Sequence, residues 1–155
     1  TSTNKTLDGG NFGTPVTNEE LLELQCYILV PAAKEDQITA HNADRIKAKL
    51  IVEGANGPIS ADADEIIAKK GTRVIPDILA NSGGVIVSYF EWVQDRIGYF
   101  WDEDDVNQRL NRMMTEAFDA VYNTALEYDT TFRLGAYIYA IDKVSKVLKL
   151  RGIYG

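Results

Sequence analysis

A chain of 155 residues, 45% hydrophobic and 25% charged, has globular composition, which excludes a disulfide-stapled miniprotein and a disordered tail. Its 16 Lys and Arg against 23 Asp and Glu leave a formal net charge of -7 and no basic block, which argues against nucleic acid and anionic membrane as partners. One cysteine, Cys26, permits no internal disulfide, no apolar run reaches the ~20 residues of a membrane span, and TSTNKTLDGG lacks the pattern of a signal peptide, so a soluble cytoplasmic protein is expected.

Residues 1 to 16 hold Gly9, Gly10, Gly13 and Pro15 among polar residues and read as loop. Thr17 caps a short helix, with Glu20 placed to complete a capping box. Cys26 to Val30 is a short apolar run stopped by Pro31 and reads as a buried strand. Residues 38 to 48 carry a helical pattern, with Thr39 as a possible cap. Leu50 to Val52 is a second buried strand, stopped by Gly54. Asp62 to Lys70 is a helix closed by Gly71, and Val74-Ile75 is a third strand. Short apolar strands alternating with helices predict a parallel sheet covered on both faces. Ligands of such sheets bind beyond the carboxyl ends of the strands, here Pro31-Ala32-Ala33, Glu53 to Asn56 and Pro76-Asp77.

The second half reads as helix alone. One helix is expected from Leu79 to Arg96, weakened at its start by Gly83-Gly84. A second runs from Glu103 to Glu127, with Val106, Leu110, Met113, Ala117 and Val121 on one face. A third runs from Thr131 to Leu150, with Leu134, Ile138, Ile141, Val144 and Leu148 on a stripe, and Gly152 ends it. Ordinary core packing is the expectation for both stripes, against partners that need not all lie in this chain.

Familiar site motifs are missing. There is no GxGxxG, no GxxxxGK[ST] and no Cys/His cluster with metal spacing. His41 stands alone and reads as a surface residue, and Cys26 reads as an inert thiol in an apolar run. The informative segment is PDILANSGGVIVSYFEW, residues 76 to 92. On a helix, Asn81, Val85, Ser88 and Trp92 share one stripe. Gly83-Gly84 allows a backbone or a flat ligand to approach closely, and the segment starts where ligands of such sheets gather. A packing helix explains the same pattern equally well. Asn56 is similarly ambiguous: it makes an Asx turn, or its amide meets a ribose or a carboxamide.

The series Leu29-Val30-Pro31-Ala32-Ala33, Ile46-Lys47-Ala48-Lys49, Val52-Glu53-Gly54-Ala55-Asn56-Gly57-Pro58, Pro76 to Asn81 and Gly83 to Trp92 resembles the C-terminal portion of the hexameric-type glutamate dehydrogenases, within the Glu/Leu/Phe/Val amino-acid dehydrogenase family. Arg133, Ala136-Tyr137 and Arg151-Gly152 fit as well. The resemblance implies an α/β fold: the last strands of a Rossmann-type parallel sheet, followed by long C-terminal helices. Residues 1–80 would be the C-terminal part of the dinucleotide-binding domain. Residues 81–155 would complete the cofactor cleft and return to a substrate domain. The implied activity is oxidative deamination of L-glutamate to 2-oxoglutarate and ammonia, with a hydride passed to NAD or NADP, in a homo-oligomer, a hexamer. The mitochondrial matrix is a second possible location.

Carried over by motif, Ala32 and Ala33 would line the adenosine side of the cofactor. Gly54, Ala55 and Asn56 would lie along the nicotinamide ribose, and Asn81 would bond the carboxamide. Val85 and Ser88 would face the substrate, with Ser88 donating to its distal carboxylate. Leucine and phenylalanine dehydrogenases lack the VSYFEW continuation, so glutamate is preferred. Tyr27 and Ser82 depart from the family pattern. The family's catalytic lysines, its proton-handling aspartate and its phosphate turn have no counterpart here. No catalytic or metal residue is therefore assigned, and the 155 residues alone are expected to be inactive. The alternatives are a non-catalytic nucleotide-binding or oligomerisation fragment, and a related leucine or phenylalanine dehydrogenase.

Overall fold

A computed structural model describes residues 13–152. The glycine-rich reading of the start falls largely outside these residues. Three short parallel strands, β1 (Ile28–Leu29), β2 (Leu50–Val52) and β3 (Arg73–Ile75), form a sheet in the order β1-β2-β3. The helices are α1 (Asn18–Leu22), α2 (Ala61–Lys69), α3 (Asp77–Ala80), α4 (Gly83–Ile97), α5 (Glu103–Glu127) and α6 (Phe132–Arg151). This is the expected α/β architecture. No described helix is long and apolar enough to cross a membrane.

Local chemistry sets most of these boundaries. Thr17 Oγ1 accepts from Glu20 N while Glu20 Oε2 accepts from Thr17 N, closing the capping box of α1. Asp102 caps α5 by accepting from Asp105 N at 2.8 Å, and Glu103, Asp104 and Asp105 add negative charge to its first turn. Thr131 caps α6. Gly71, at φ +77°, takes the left-handed position that ends α2.

Two apolar clusters flank the sheet. The first joins Ile51 of β2 to Leu22, Ile38, Ile46, Ile59 and Ile67. Full burial of a side chain of this size contributes about 1.5–3 kcal/mol over exposure. The second holds Leu79, Val121 and Ala136, with Ile75 of β3 packed against it.

Three expectations need correction. Residues 38 to 48 are not a helix; only a single 3-10 turn, Ala43–Arg45, forms there. Ile38 is drawn out to bridge Ile59, and the Asn42 side chain bonds Gln37 O and Thr39 N, competing with helical pairing. The carbonyls of Ala43, Asp44 and Ile46 all accept from Lys70 Nζ, at 2.6–3.0 Å.

Second, the run Cys26 to Val30 is not a buried strand. Only Ile28 and Leu29 pair, at the edge of the described sheet, and the side chains of Ile28 and Val30 are exposed. Third, the stripe of α6 is not core. Leu134, Ile141, Val144 and Leu148 are exposed, whereas Gly135 and Ala136 are buried. A Cβ on Gly135 would lie 2.9 Å from Ala125 Cβ, so α6 meets α5 through its small residues.

Candidate functional site

The carboxyl ends of β1 and β2 run into two loops that face each other. Ala55 N donates to Pro31 O at 2.9 Å, and Gly54 N donates to the same carbonyl at 3.1 Å. The loops touch at Gly54, where a Cβ would stand 3.0 Å from Ala32 Cβ and 3.3 Å from Ala32 Cα. A side chain at Gly54 would press on Ala32, so glycine suits the close approach of the two loops. The loops enclose an open cavity of about 530 Å3, lined by Ala32, Ala33, Gly54, Ala55 and Asn56, with Lys34 and Glu35 at one side.

Asn56 is exposed at the tip of the second loop, and Gly57 turns the chain behind it at φ +54°. Asn81 comes from the end of β3: it caps the single turn of α3, which follows the strand directly. Its Nδ2 donates to Asn56 Oδ1 at 2.7 Å. That bond uses one donor and one acceptor of the pair. The remaining acceptor, Asn81 Oδ1, and the Nδ2 donor of Asn56 have no partner among the described residues. Side by side, they offer the complement of a carboxamide or a ribose hydroxyl.

The helical stripe of the sequence reading is broken at its first member. Asn81 lies on the turn before α4, at φ -98° and ψ 5°, and Ser82 is the N-cap that precedes the helix. Val85, Ser88 and Trp92 follow within α4, all exposed, with Trp92 stacked on Tyr89. Val85, Ser88 and Asn81 do not line the cavity at the strand ends; Asn81 reaches it only through its bond to Asn56. Gly84 has no heavy atom within 4 Å of where its Cβ would stand, so the start of α4 is open on that side. His41 is exposed and Cys26 half-buried. Among the described residues no group of acidic, histidine or cysteine side chains is arranged to hold a metal ion.

Behind the two loops lies an ion cluster that sequence reasoning placed only as motif. Glu53, fully buried, receives a forked pair from Arg133, at 2.7 Å from Nη2 to Oε1 and 2.9 Å from Nη1 to Oε2. Asp64 Oδ2 stands 3.0 Å from Arg133 Nε, a charge contact without hydrogen-bond alignment. Asp77 Oδ1 lies 3.7 Å from Nη1. Burial alone favours the neutral guanidine. The hydrogen bonds and charge of Glu53, with Asp64 behind them, outweigh it and hold the pKa of Arg133 above its ordinary value. Removing one partner of a buried forked pair costs about 3–5 kcal/mol, because the other charge is stranded. No local signal links positions 80 residues apart.

Comparison with known proteins bears on these residues. Residues 3–152 match the family model described as Glutamate/Leucine/Phenylalanine/Valine dehydrogenase. A glutamate dehydrogenase of Thermotoga maritima is 57% identical over 142 residues, 92% of this chain and 34% of that protein. A catabolic NAD-specific glutamate dehydrogenase of Bacillus subtilis is 48% identical over 141 residues, 91% of this chain and 33% of the relative. Among solved structures, the hetero-hexameric glutamate dehydrogenase of Thermus thermophilus, in a leucine-bound form, superposes with a TM-score of 0.86 at 33% identity, covering 90% of this chain and 34% of that one. The chain spans about a third of the length of the relatives it matches.

Proposed function

Since the chain belongs to the Glutamate/Leucine/Phenylalanine/Valine dehydrogenase family, we propose that it forms part of a glutamate dehydrogenase and that the cleft at the ends of β1 and β2 takes NAD or NADP. The observation that carries this reading is the bond from Asn81 to Asn56, of which Asn56 lines that cavity. The residues fit a dinucleotide. Alanines and glycine keep the walls low enough for a flat ligand, and the unpartnered amide groups match a carboxamide and a ribose. Lys34 adds a cation beside the cavity for a phosphate-bearing ligand.

In this reading Ala32 and Ala33 lie along the adenosine side, Gly54, Ala55 and Asn56 along the nicotinamide ribose, and Asn81 holds the carboxamide. When bound, the nicotinamide ring supplies the hydride acceptor for oxidative deamination of L-glutamate to 2-oxoglutarate and ammonia. Val85 and Ser88 face the substrate. The Ser88 hydroxyl favours a distal carboxylate over an aliphatic side chain, which would leave the hydroxyl unpaired. Residues 1–80 serve the dinucleotide and residues 81–155 complete the cleft toward a substrate domain. The protein works in the cytoplasm as a homo-oligomer. The exposed apolar face of α6, with Ile141, Val144 and Leu148, supports association.

No residue of this chain is assigned to proton transfer, so the 155 residues alone are expected to bind cofactor and to show no glutamate-dependent reduction of it. Titration with NADH and NADPH, followed by the cofactor's fluorescence, tests the reading. Saturable binding that weakens about tenfold in Asn81→Ala supports it, one lost charge-free polar contact accounting for about 1.4 kcal/mol. A wild-type chain that binds neither cofactor contradicts it.

A further inference from the structure

We propose that Arg133 is a positioning residue for the Asn56–Asn81 amide pair, acting through Glu53 and Asp77. The two asparagines come from different strand ends and are 25 positions apart. Something must fix the spacing of the loops that carry them, and the ion cluster reaches both. Glu53 is the last residue before the Gly54-Ala55-Asn56 loop, and its N–H donates to Ile75 O at 3.1 Å. Its Oε2 accepts from Asp77 N at 2.8 Å, at the first residue of α3. Asp77 returns the contact: its Oδ2 accepts from Gly57 N at 2.8 Å, one residue beyond Asn56. Asp77 O in turn accepts from Asn81 N at 3.1 Å, across the single turn of α3.

Each asparagine is thus one bond or one helical turn from a group that the Glu53 carboxylate or the Asp77 carboxylate holds. Both carboxylates face Arg133, whose side chain is 16% exposed and whose fork fixes the plane of Glu53. Arg133 itself sits in the first turn of α6, so the geometry also ties that long helix to the amide pair. Arg133 touches neither asparagine and does not line the cavity, so its effect passes through the carboxylates.

The test uses the 155-residue chain with Arg133→Met and Arg133→Lys, and reads the assigned side-chain amide signals of Asn56 and Asn81 by NMR. Arg133→Met, folded by circular dichroism, is expected to move the Asn81 amide to the position of a free amide. Arg133→Lys, which keeps the charge and loses the fork, is expected to recover part of the shift. The Kd for NADH, an arm that rests on the functional reading above, is expected to rise by up to about tenfold in Arg133→Met, no more than when the Asn81 amide is itself removed. If Arg133→Met does not fold, Asp77→Ala replaces it, since it removes the contact with Gly57 N and leaves the Arg133–Glu53 fork in place. Folded variants that keep the bonded amide signal overturn the inference. A wild-type chain without NADH affinity removes the functional reading instead, and the amide signals still decide the role of Arg133.

Discussion

Asn81 Nδ2 donates to Asn56 Oδ1 across 2.7 Å, joining the turn after β3 to the loop after β2, where Asn56 lines the cavity. Residues in direct contact do not act independently. Asn56→Ala and Asn81→Ala are each expected to weaken NADH binding roughly tenfold, and the double variant little more than either, giving a coupling of about 1 kcal/mol. Isothermal titration of the four proteins checks this. Strictly additive losses would show that the Asn81–Asn56 bond does not couple the two ligand contacts.

Gly135 offers a sharper stability test. A Cβ there would approach Ala125 Cβ at 2.9 Å and the Ala125 backbone at 3.0 Å. Helix propensity favours alanine over glycine by about 1 kcal/mol. Overpacking against backbone costs about 1–3 kcal/mol. The clash wins because helix backbone does not swing aside as a side-chain tip does. Gly135→Ala is expected to lower stability by about 1–2 kcal/mol in urea unfolding. A stabilised variant would mean that the α5–α6 spacing is looser than described.

Ser60 precedes α2 as its N-cap, yet its side chain caps nothing, and its buried Oγ has no partner among the described residues. Replacing a bonded Ser cap by Ala costs about 1 kcal/mol. Ser60→Ala is therefore expected to change stability by less than ~0.5 kcal/mol, in the same unfolding measurement. A full capping loss would place a hydrogen bond at Ser60 Oγ.

On α6, Ile141, Val144 and Leu148 face outward. Charge placed there removes no buried contact. Ile141→Glu is expected to leave the midpoint of thermal unfolding within about 2 °C. In sedimentation it is expected to shift any self-association toward monomer. A large loss of stability in the monomer would show that the residue packs within the chain.

Much of this molecule is legible from local chemistry. The capping box at Thr17 and Glu20, the strand Leu50–Val52, the helix closed by Gly71 and the two long helices depend on neighbours within a few residues, and the structure has them. What the sequence hides, at residues 38 to 48, along α6 and at Arg133, shares a cause: contacts with residues distant in the chain. The pattern over residues 38 to 48 is helical, but pairing with the distant Ile59 and the long reach of Lys70 decide its conformation. Along α6, periodicity marks an apolar face but not whether its partner lies within the chain. Gly135 and Ala136 select the packed face, because small residues let helix axes approach. The Arg133–Glu53 pair spans 80 positions and reaches the amide pair only through the fold. Residues lining the cavity were named as far as Ala33, whereas the lining continues to Lys34 and Glu35.

The proposed cofactor cleft is tested most directly by the structure of this chain crystallised with NADH. The account predicts the nicotinamide carboxamide against Asn81 and Asn56, with the adenosine side of the cofactor along Ala32 and Ala33. Density for the dinucleotide elsewhere, with both asparagines out of its reach, would contradict it.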